Sequence, residues 1–139
     1  MKILIDTNIA LDVLLKREPF YEDAAKVILL SEKDIIDAYV SASAVTDIYY
    51  VARKYYKDKA VTSELLKKLL QVIYVATITD DNIYKALNLE WNDFEDSVQY
   101  IVGESIEADY IITRNPGHFS NSSIKVINPN DFLNIITSM

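Results

Sequence analysis

A chain of 139 residues, half of them hydrophobic, is long enough for one domain with its own core, and we expect a single domain over residues 1–139. The absence of cysteine excludes disulfides, thiolate metal sites and a cysteine nucleophile, and two glycines are too few for a glycine-rich phosphate loop. The net charge of −7 argues against broad, nonspecific nucleic-acid binding, although divalent cations held by converging carboxylates would neutralise part of that charge.

The chain enters a strand-like segment at once, without an apolar signal segment. No apolar stretch approaches the ~18 to 20 residues that a membrane span needs. We therefore expect a cytoplasmic protein.

The first predicted strand, Ile3 to Ile5, is apolar throughout, as expected for a strand buried on both faces, and Asp6 follows it directly. Ligands of open α/β sheets bind beyond the carboxyl ends of the strands, where Asp6 would lie. Asp6 is also an ordinary N-cap for the helix predicted over Asn8 to Leu15, and this stretch alone favours the cap. Asp12 is the polar exception in that helix; it either pairs with Lys16 four residues on or supports Asp6 from behind.

A second acid follows the second predicted strand. A helix over Tyr21 to Ser31 precedes this strand, Asp37 to Ser41, and the next helix begins at about Ser43 with Asp47 in its first turn. Asp47 is either a favourable charge near a helix N-terminus or a second acid at the same sheet edge as Asp6.

The run from Tyr49 to Lys59 interleaves basic residues with tyrosines. Packed tyrosines beside solvated lysines are the favoured interpretation, and nucleic-acid stacking is the alternative.

A third acid opens a helix in the second half of the chain. Three elements are predicted before it: a helix over Val61 to Leu70, a strand over Val72 to Ile78 and a helix to about Leu89. Thr79-Asp80-Asp81 is predicted to cap the last of these helices, and neither aspartate is assigned a catalytic role. The following helix opens with Trp91-Asn92-Asp93-Phe94-Glu95-Asp96, where Asn92 with Glu95, or Asp93 with Asp96, could form a capping box. One face collects Phe94, Val98, Ile101, Val102, Ser105 and Ala108. Asp96 is therefore predicted to point away from the core, toward a cleft.

Two more predicted strands, Tyr110 to Thr113 and Ile124 to Ile127, complete the pattern. The first of them ends in Arg114-Asn115-Pro116, and Asn130 or Asp131 is predicted to cap a last helix. Strands that alternate with helices indicate a parallel sheet with right-handed crossovers, so the residues after each strand gather along one edge.

Asp6, Asp47 and Asp96 would then form a site of hard oxygen ligands, which suits Mg²⁺ or Mn²⁺ and not Zn²⁺. Two such ions about 3.5 to 4 Å apart can activate water and stabilise the leaving oxygen of a phosphodiester. The predicted chemistry is metal-assisted phosphodiester hydrolysis, with these three aspartates as the catalytic and metal-binding residues.

Several motifs resemble the PIN-domain ribonucleases, most closely the branch that includes the VapC-type toxins of toxin–antitoxin pairs. The motifs are ILIDTNIALD (residues 3–12), SASAVTDIYY (41–50), and DFEDS (93–97) followed by ADYIITRNP (108–116). They occur in the order and spacing of the family and span nearly the whole chain.

The resemblance implies a three-layer α/β/α sandwich with a five-stranded parallel sheet in the order 3-2-1-4-5. It also implies Mg²⁺ or Mn²⁺ in an acidic pocket, cleavage of single-stranded RNA, a cognate antitoxin and a homodimer. It assigns the three acids to Asp6, to Asp47, where many members have Glu, and to Asp96. The residues expected to support these acids or to contact the substrate are Thr7, Asn8, Asp12, Asp93, Arg114 and Asn115.

The loop after the fourth strand departs from the family pattern. Asn115 stands where an acid is common and His118 replaces a frequent Asp, so a second metal ion would find less negative charge. His118 could act on a leaving group, although a lone loop histidine is more often simply solvated. Arg114 could hold a substrate phosphate or neutralise Asp96.

Two other classes of protein compete with a metal-dependent nuclease. A catalytically degenerate PIN-fold module that binds RNA or protein without cleavage would fit the missing fourth acid. A phosphoryl-transfer domain of the receiver or haloacid-dehalogenase type also begins with a strand that ends in Asp. The segment Asp6-Thr7-Asn8 lacks both the neighbouring acids of the first type and the Asp-x-Asp of the second.

Overall fold

Five short strands form one parallel sheet in the computed structural model, which describes residues 1–139. The strands are β1 (Lys2–Ile5), β2 (Asp37–Ser41), β3 (Tyr74–Ala76), β4 (Tyr110–Ile112) and β5 (Lys125–Ile127). Their order is β3-β2-β1-β4-β5. Ile3 pairs with Ala38 on one side and with Tyr110 on the other, which places β1 at the centre. The predicted α/β/α sandwich and its strand order are confirmed.

Seven α-helices and one 3-10 turn connect the strands. The helices are α1 (Thr7–Leu14), α2 (Tyr21–Glu32), α3 (Ala42–Tyr56), α4 (Lys59–Leu70), α5 (Asp80–Asn88), α6 (Phe94–Ser105) and α7 (Pro129–Thr137), and the 3-10 turn covers Pro116–Phe119. None of these helices has the length and apolar character needed to cross a membrane.

Strand β1 separates two hydrophobic cores, because successive side chains of a strand point to opposite faces of the sheet. Ile3 and Ile5 belong to the larger core with residues of α1, α2 and α3, whereas Leu4 belongs to a second core with residues of α6. All three side chains are inaccessible to solvent. The apolar sequence of β1 therefore reflects burial on both faces, and the polar site begins where this strand ends.

Several predicted boundaries are wrong, each because of a local cap. The Ser41 hydroxyl accepts a hydrogen bond from Ala44 N, so α3 begins at Ala42 and Asp47 lies in its second turn, not its first. The Asn128 side chain caps α7, which begins at Pro129, so Asn130 and Asp131 lie inside that helix and do not cap it.

Helix α6 is buried on more sides than its predicted apolar face. Every residue from Ser97 to Gly103 is buried, whereas Phe94 is 46% exposed and Ser105 is exposed as well. The helix therefore passes between the sheet and its neighbours, and polar side chains such as Gln99 are enclosed with it.

The aromatic and basic segment around the end of α3 divides its tyrosines between two roles. The Tyr56 hydroxyl donates to the carbonyl of Leu14, which fastens α3 to α1. Tyr50 and Tyr55 are 62% and 61% exposed. The rings of Tyr50 and Tyr55 meet those of Tyr49 and Tyr56 edge to face, but most of their surface remains in contact with solvent.

Candidate active site

The carboxylate of Asp6 lies at the carboxyl end of β1 and is held by three hydrogen-bond donors. Thr7 N (2.7 Å) and Gln99 Nε2 (2.8 Å) donate to Oδ1, and the Thr113 hydroxyl donates to Oδ2 (2.7 Å). Asp6 is 9% exposed and is the N-cap of α1, as the favoured interpretation of its sequence had it. All three donors are uncharged, so they fix the orientation of Asp6 without neutralising it.

Thr113 is itself fixed by the loop that follows β4. It is fully buried, and its Oγ1 accepts a hydrogen bond from Asn115 N at 3.1 Å. The Asn115 side chain is exposed and makes no capping hydrogen bond in the 3-10 turn. The backbone of Asn115 therefore supports Thr113, and its amide group stays free.

Helix α6 brings three acids toward Asp6 with its first turn. Asp93 is the N-cap of α6 and accepts a hydrogen bond from Asp96 N at 3.0 Å, which selects one of the two capping pairs that the sequence offered. Partial withdrawal from water and the negative charges of Asp93 and Asp6 together raise the pKa of Asp96 to about 6, although His118 opposes this shift.

Glu95 joins this cluster and connects it to α3. Partial withdrawal from water, a hydrogen bond with Asp47 and the charges of Asp47, Asp93 and Asp6 together raise the pKa of Glu95 to about 7. Asp6 and Asp93 thus act on both Glu95 and Asp96, whereas Asp47 acts on Glu95, so these five acids are linked electrostatically through α6. We refer to these five residues as the acidic cluster.

The acidic cluster has no internal cation. The ion pairs of the protein join Asp12 to Arg17, Asp12 to Arg114 and Asp81 to Lys85, and none involves a member of the cluster. A divalent cation is the partner that such a concentration of carboxylates would bind.

The donor set fits a hydrated Mg²⁺ or Mn²⁺ ion better than a dehydrated one. No three acidic or histidine side chains are arranged closely enough to ligate one ion together. Mg²⁺ commonly keeps several waters and uses one or two carboxylates. Three further buried oxygens have no hydrogen-bond partner: Thr7 Oγ1 and Asn8 Oδ1, from the two residues that follow Asp6, and Gln99 Oε1, from the amide that donates to Asp6. The water shell of an ion could supply partners for such atoms.

Asp12 has neither of the partners considered for it in the sequence. Its carboxylate is fully buried and contacts Arg17 Nε and Arg114 Nε, each at 3.0 Å, and not Lys16. Burial raises the pKa of Asp12, and the two arginines lower it only in part. The Arg114 guanidinium lies 4.1 Å from the ring centre of Phe20. Arg114 is thus paired with Asp12 and not with Asp96, and it fastens the loop after β4 to α1.

A cavity of about 330 Å³ adjoins the acidic cluster. Its lining comprises Trp91, Asn92, Asp93, Asp96, Gly117, His118, Ser120 and Asn121. The Trp91 ring stacks on Tyr100 at 4.9 Å and meets Phe119 edge to face, so it forms a rigid wall. We refer to this space as the Trp91 pocket; it offers an aromatic surface and amide groups directly beside Asp96.

Three residues of the site were missed in the sequence. Gln99 was a detectable exception, since it is a polar residue flanked by the apolar positions Val98, Ile101 and Val102 of α6. Glu95 lies one turn before Gln99, on the same side of that helix. Thr113 is a hydroxyl at the end of an apolar strand, which is a place where side chains face the sheet edge.

Comparisons with known proteins agree with this architecture. The family model described as PIN domain matches residues 2–116. Ribonuclease VapC1 from Aquifex aeolicus (strain VF5) is 24% identical over 136 residues, which cover 94% of this chain and 92% of that protein.

Two solved structures share the fold. VapBC2 from Rickettsia felis, bound to a DNA fragment from its promoter, superposes with a TM-score of 0.70 at 14% identity, covering 92% of this chain and 98% of that chain. A toxin–antitoxin complex from Klebsiella pneumoniae gives a TM-score of 0.68 at 20% identity, covering 91% and 97%. The match of the family model over most of the chain shows that this protein belongs to the PIN domain family, as its motifs predicted.

Proposed function

We propose that this protein is a divalent-metal-dependent endoribonuclease that cleaves single-stranded RNA and serves as the toxin of a toxin–antitoxin pair. The observation that carries the proposal is the approach of Asp6, Asp47, Glu95 and Asp96 from the end of β1, from α3 and from α6, with no lysine or arginine in an ion pair with them. A site of this kind is built to receive a cation from solution.

Asp6 and Asp96 would hold the metal ion, Mg²⁺ or Mn²⁺, and Asp47 would complete the site through a water molecule of the ion. When bound, the ion would supply a water activated for attack on the phosphodiester and neutralise charge on the phosphate. The chain itself orients Asp6 through Thr7, Gln99 and Thr113. The pKa values of about 7 for Glu95 and about 6 for Asp96 leave Glu95 partly protonated and Asp96 mostly ionised at pH 7 in the metal-free protein, and a bound cation would displace the remaining protons.

The substrate and partner assignments draw support from the relatives. The relative from Aquifex aeolicus is named as a ribonuclease, and the related structure from Klebsiella pneumoniae is a toxin–antitoxin complex. A largely apolar groove of about 490 Å³, between α1 and α2 on one side and α3 and α4 on the other, supports a protein partner such as an antitoxin. We also propose a homodimer, which light scattering would measure.

An RNA cleavage assay tests the enzymatic proposal. Purified protein is expected to cleave single-stranded RNA with Mg²⁺ or Mn²⁺ and to stop when EDTA is added. Asp6→Asn is expected to abolish cleavage while the circular dichroism spectrum stays unchanged. Asp131→Asn, which removes an exposed acid from α7, is the matched control and should cleave like the wild type. Cleavage by Asp6→Asn at the wild-type rate would show that the acidic cluster is not required for the reaction.

Growth of a bacterial host tests the toxin proposal. Expression of the wild type is expected to arrest growth, and expression of Asp6→Asn is expected to permit it. Growth arrest by both proteins would show that the toxicity does not depend on nuclease activity.

A catalytically degenerate module that binds RNA or protein is the second candidate function. It is favoured by the lack of a preformed three-ligand arrangement and by Asn115 at a position where family members often carry an acid. Calorimetric titration with Mn²⁺ separates the two candidates. Binding that is lost in Asp96→Asn supports the nuclease, and no binding by the wild type supports the degenerate module.

A further inference from the structure

We propose that Gln99 is a positioning residue of the acidic cluster, whose amide fastens α6 to Asp6 and thereby sets the separation between the acids of β1 and α6. The inference rests on the proposed metal-dependent function, and it assigns a role in metal binding to a side chain that is not itself an acid.

The contacts of Gln99 place it between the two halves of the site. Its Nε2 donates to Asp6 Oδ1 at 2.8 Å, across 93 residues of sequence, and the side chain is 1% exposed. Gln99 follows Glu95 by four residues and Asp96 by three, so it stands one helical turn beyond both acids. It makes the one side-chain hydrogen bond between α6 and Asp6.

A tether is needed here because the charges on the two elements repel each other. Gln99 bonds Asp6 and stands one helical turn beyond Glu95 and Asp96, so these two carboxylates of α6 face the same end of the sheet as the carboxylate of Asp6. Without a metal ion, this repulsion favours separation of the N-terminal turn of α6 from β1. A lysine or arginine could also hold the two elements, but its charge would compete with the cation. A neutral amide holds them and leaves the negative charge available.

The second atom of the amide indicates that stability alone does not explain Gln99. Its Oε1 is buried without a hydrogen-bond donor, which is unfavourable for folding. The amide cannot be turned to relieve this, because Oε1 would then face the Asp6 carboxylate. An apolar side chain of similar length would remove the unpaired oxygen, so the amide is explained by what its Nε2 does for Asp6.

Thr113 provides the equivalent contact from the sheet side. Its hydroxyl holds Asp6 Oδ2 at 2.7 Å, but β4 is the immediate neighbour of β1 and is already fixed by backbone pairing. Removal of the Thr113 hydroxyl would free one oxygen of Asp6 without releasing a second element. Gln99 differs from Thr113 because it links a separate element to Asp6. That element is α6, the helix that carries Glu95 and Asp96.

The test measures Mn²⁺ affinity by calorimetry and metal-free melting temperature for Gln99→Met and for a matched control. Gln99→Met keeps the length and burial of the side chain and removes the donor. We expect its dissociation constant for Mn²⁺ to rise about 10- to 100-fold, as for other residues that support metal ligands, with a melting temperature close to that of the wild type. Ser97→Ala removes a buried hydroxyl of the same helix that bonds Phe94 O and not Asp6, and it should bind Mn²⁺ like the wild type.

Gln99→Asn is the second variant and serves if Gln99→Met does not fold. It keeps the amide but withdraws it by one methylene, so its Mn²⁺ affinity should also fall. If folded Gln99→Met or Gln99→Asn binds Mn²⁺ within threefold of the wild type, the positioning role is wrong. Failure of the wild type to bind Mn²⁺ at all would instead overturn the proposed function, so the two outcomes are distinguishable.

Discussion

Arg114 Nε lies 3.0 Å from Asp12 Oδ2, while the residue before Arg114, Thr113, holds Asp6 through its hydroxyl. Asp12 belongs to α1, the helix that Asp6 caps. The ion pair therefore fixes the end of β4 against α1 on one side while the hydroxyl of Thr113 fixes Asp6 on the other. The segment after β4 therefore contacts two carboxylates, Asp12 through Arg114 and Asp6 through Thr113.

Asp12→Ala is expected to destabilise the protein strongly, because it leaves the guanidinium groups of Arg17 and Arg114 without their anion. Removal of one partner of a buried ion pair costs about 3 to 5 kcal/mol, and the partial exposure of the two arginines places this case near ~3 kcal/mol. Urea unfolding measures the loss. Asp131→Ala, at an exposed site, should change the free energy of unfolding by less than ~0.5 kcal/mol. An Asp12→Ala loss as small as that of the control would show that the buried contacts contribute little.

The acidic cluster predicts that the metal-free protein becomes less stable as the pH rises. The pKa values of Glu95 (about 7) and Asp96 (about 6) in the folded protein lie above ordinary values of roughly 4.3 and 3.9. The folded state therefore binds more protons than the unfolded state over this interval. The resulting stabilisation is complete below about pH 4 and is lost as the pH rises through 6 and 7.

Melting temperatures measured in EDTA between pH 5 and pH 8 test this expectation. The wild type should melt at progressively lower temperature toward pH 8, and the double variant Glu95→Gln/Asp96→Asn should show a flatter dependence. Asp131→Asn should retain the wild-type slope. A double variant with the full wild-type slope would assign the pH dependence to other groups. Mn²⁺ should stabilise the wild type more at pH 8 than at pH 5, since the ion competes with protons for the same carboxylates.

Sequence patterns locate the elements of this site better than the contacts within it. The position of Asp6 is predictable because an apolar run of three residues leads into it. That local pattern indicates both the buried strand, Ile3 to Ile5, and the polar residue at the point where the strand ends. Gln99 and Thr113 reach Asp6 across 93 and 107 residues, and no local periodicity encodes such proximity. Asp12 illustrates the same limit. Lys16 lies four residues after Asp12, at helical spacing, but α1 ends at Leu14, and the Asp12 carboxylate instead pairs with two arginines, Arg17 and Arg114, from separate loops.

Trp91→Ala is expected to weaken RNA binding without changing Mn²⁺ affinity, if the Trp91 pocket receives a base beside the scissile phosphate. Stacking of a base on an aromatic side chain contributes about 1 to 3 kcal/mol, so the dissociation constant should rise roughly 5- to 150-fold. Fluorescence anisotropy with a labelled single-stranded RNA measures it, in an Asp6→Asn background that prevents cleavage. Tyr84→Ala, which removes a 67% exposed tyrosine of α5, is the aromatic control.

Because Trp91 also packs on Tyr100 and Phe119, its removal could perturb the fold, and Asn121→Ala provides an independent probe of the same pocket. It removes an amide and leaves the aromatic contacts in place. Reduced RNA affinity in both variants places the nucleotide in this pocket. If both variants bind RNA with wild-type affinity, the nucleotide does not bind in the Trp91 pocket.

Asn115→Asp tests whether the loop after β4 is close enough to the acidic cluster to act as a further ligand. The backbone N of Asn115 bonds Thr113 Oγ1, which in turn bonds Asp6, so the new carboxylate would project from a backbone position two hydrogen bonds from Asp6. One additional charge near the ion is worth ~1 kcal/mol in a solvated setting, which corresponds to a roughly fivefold tighter dissociation constant for Mn²⁺. Calorimetry would show this gain together with any change in the number of ions bound. Asn134→Asp, at an exposed position of α7, controls for general charge; an equal gain there would mean that the added charge acts only through the overall field of the protein.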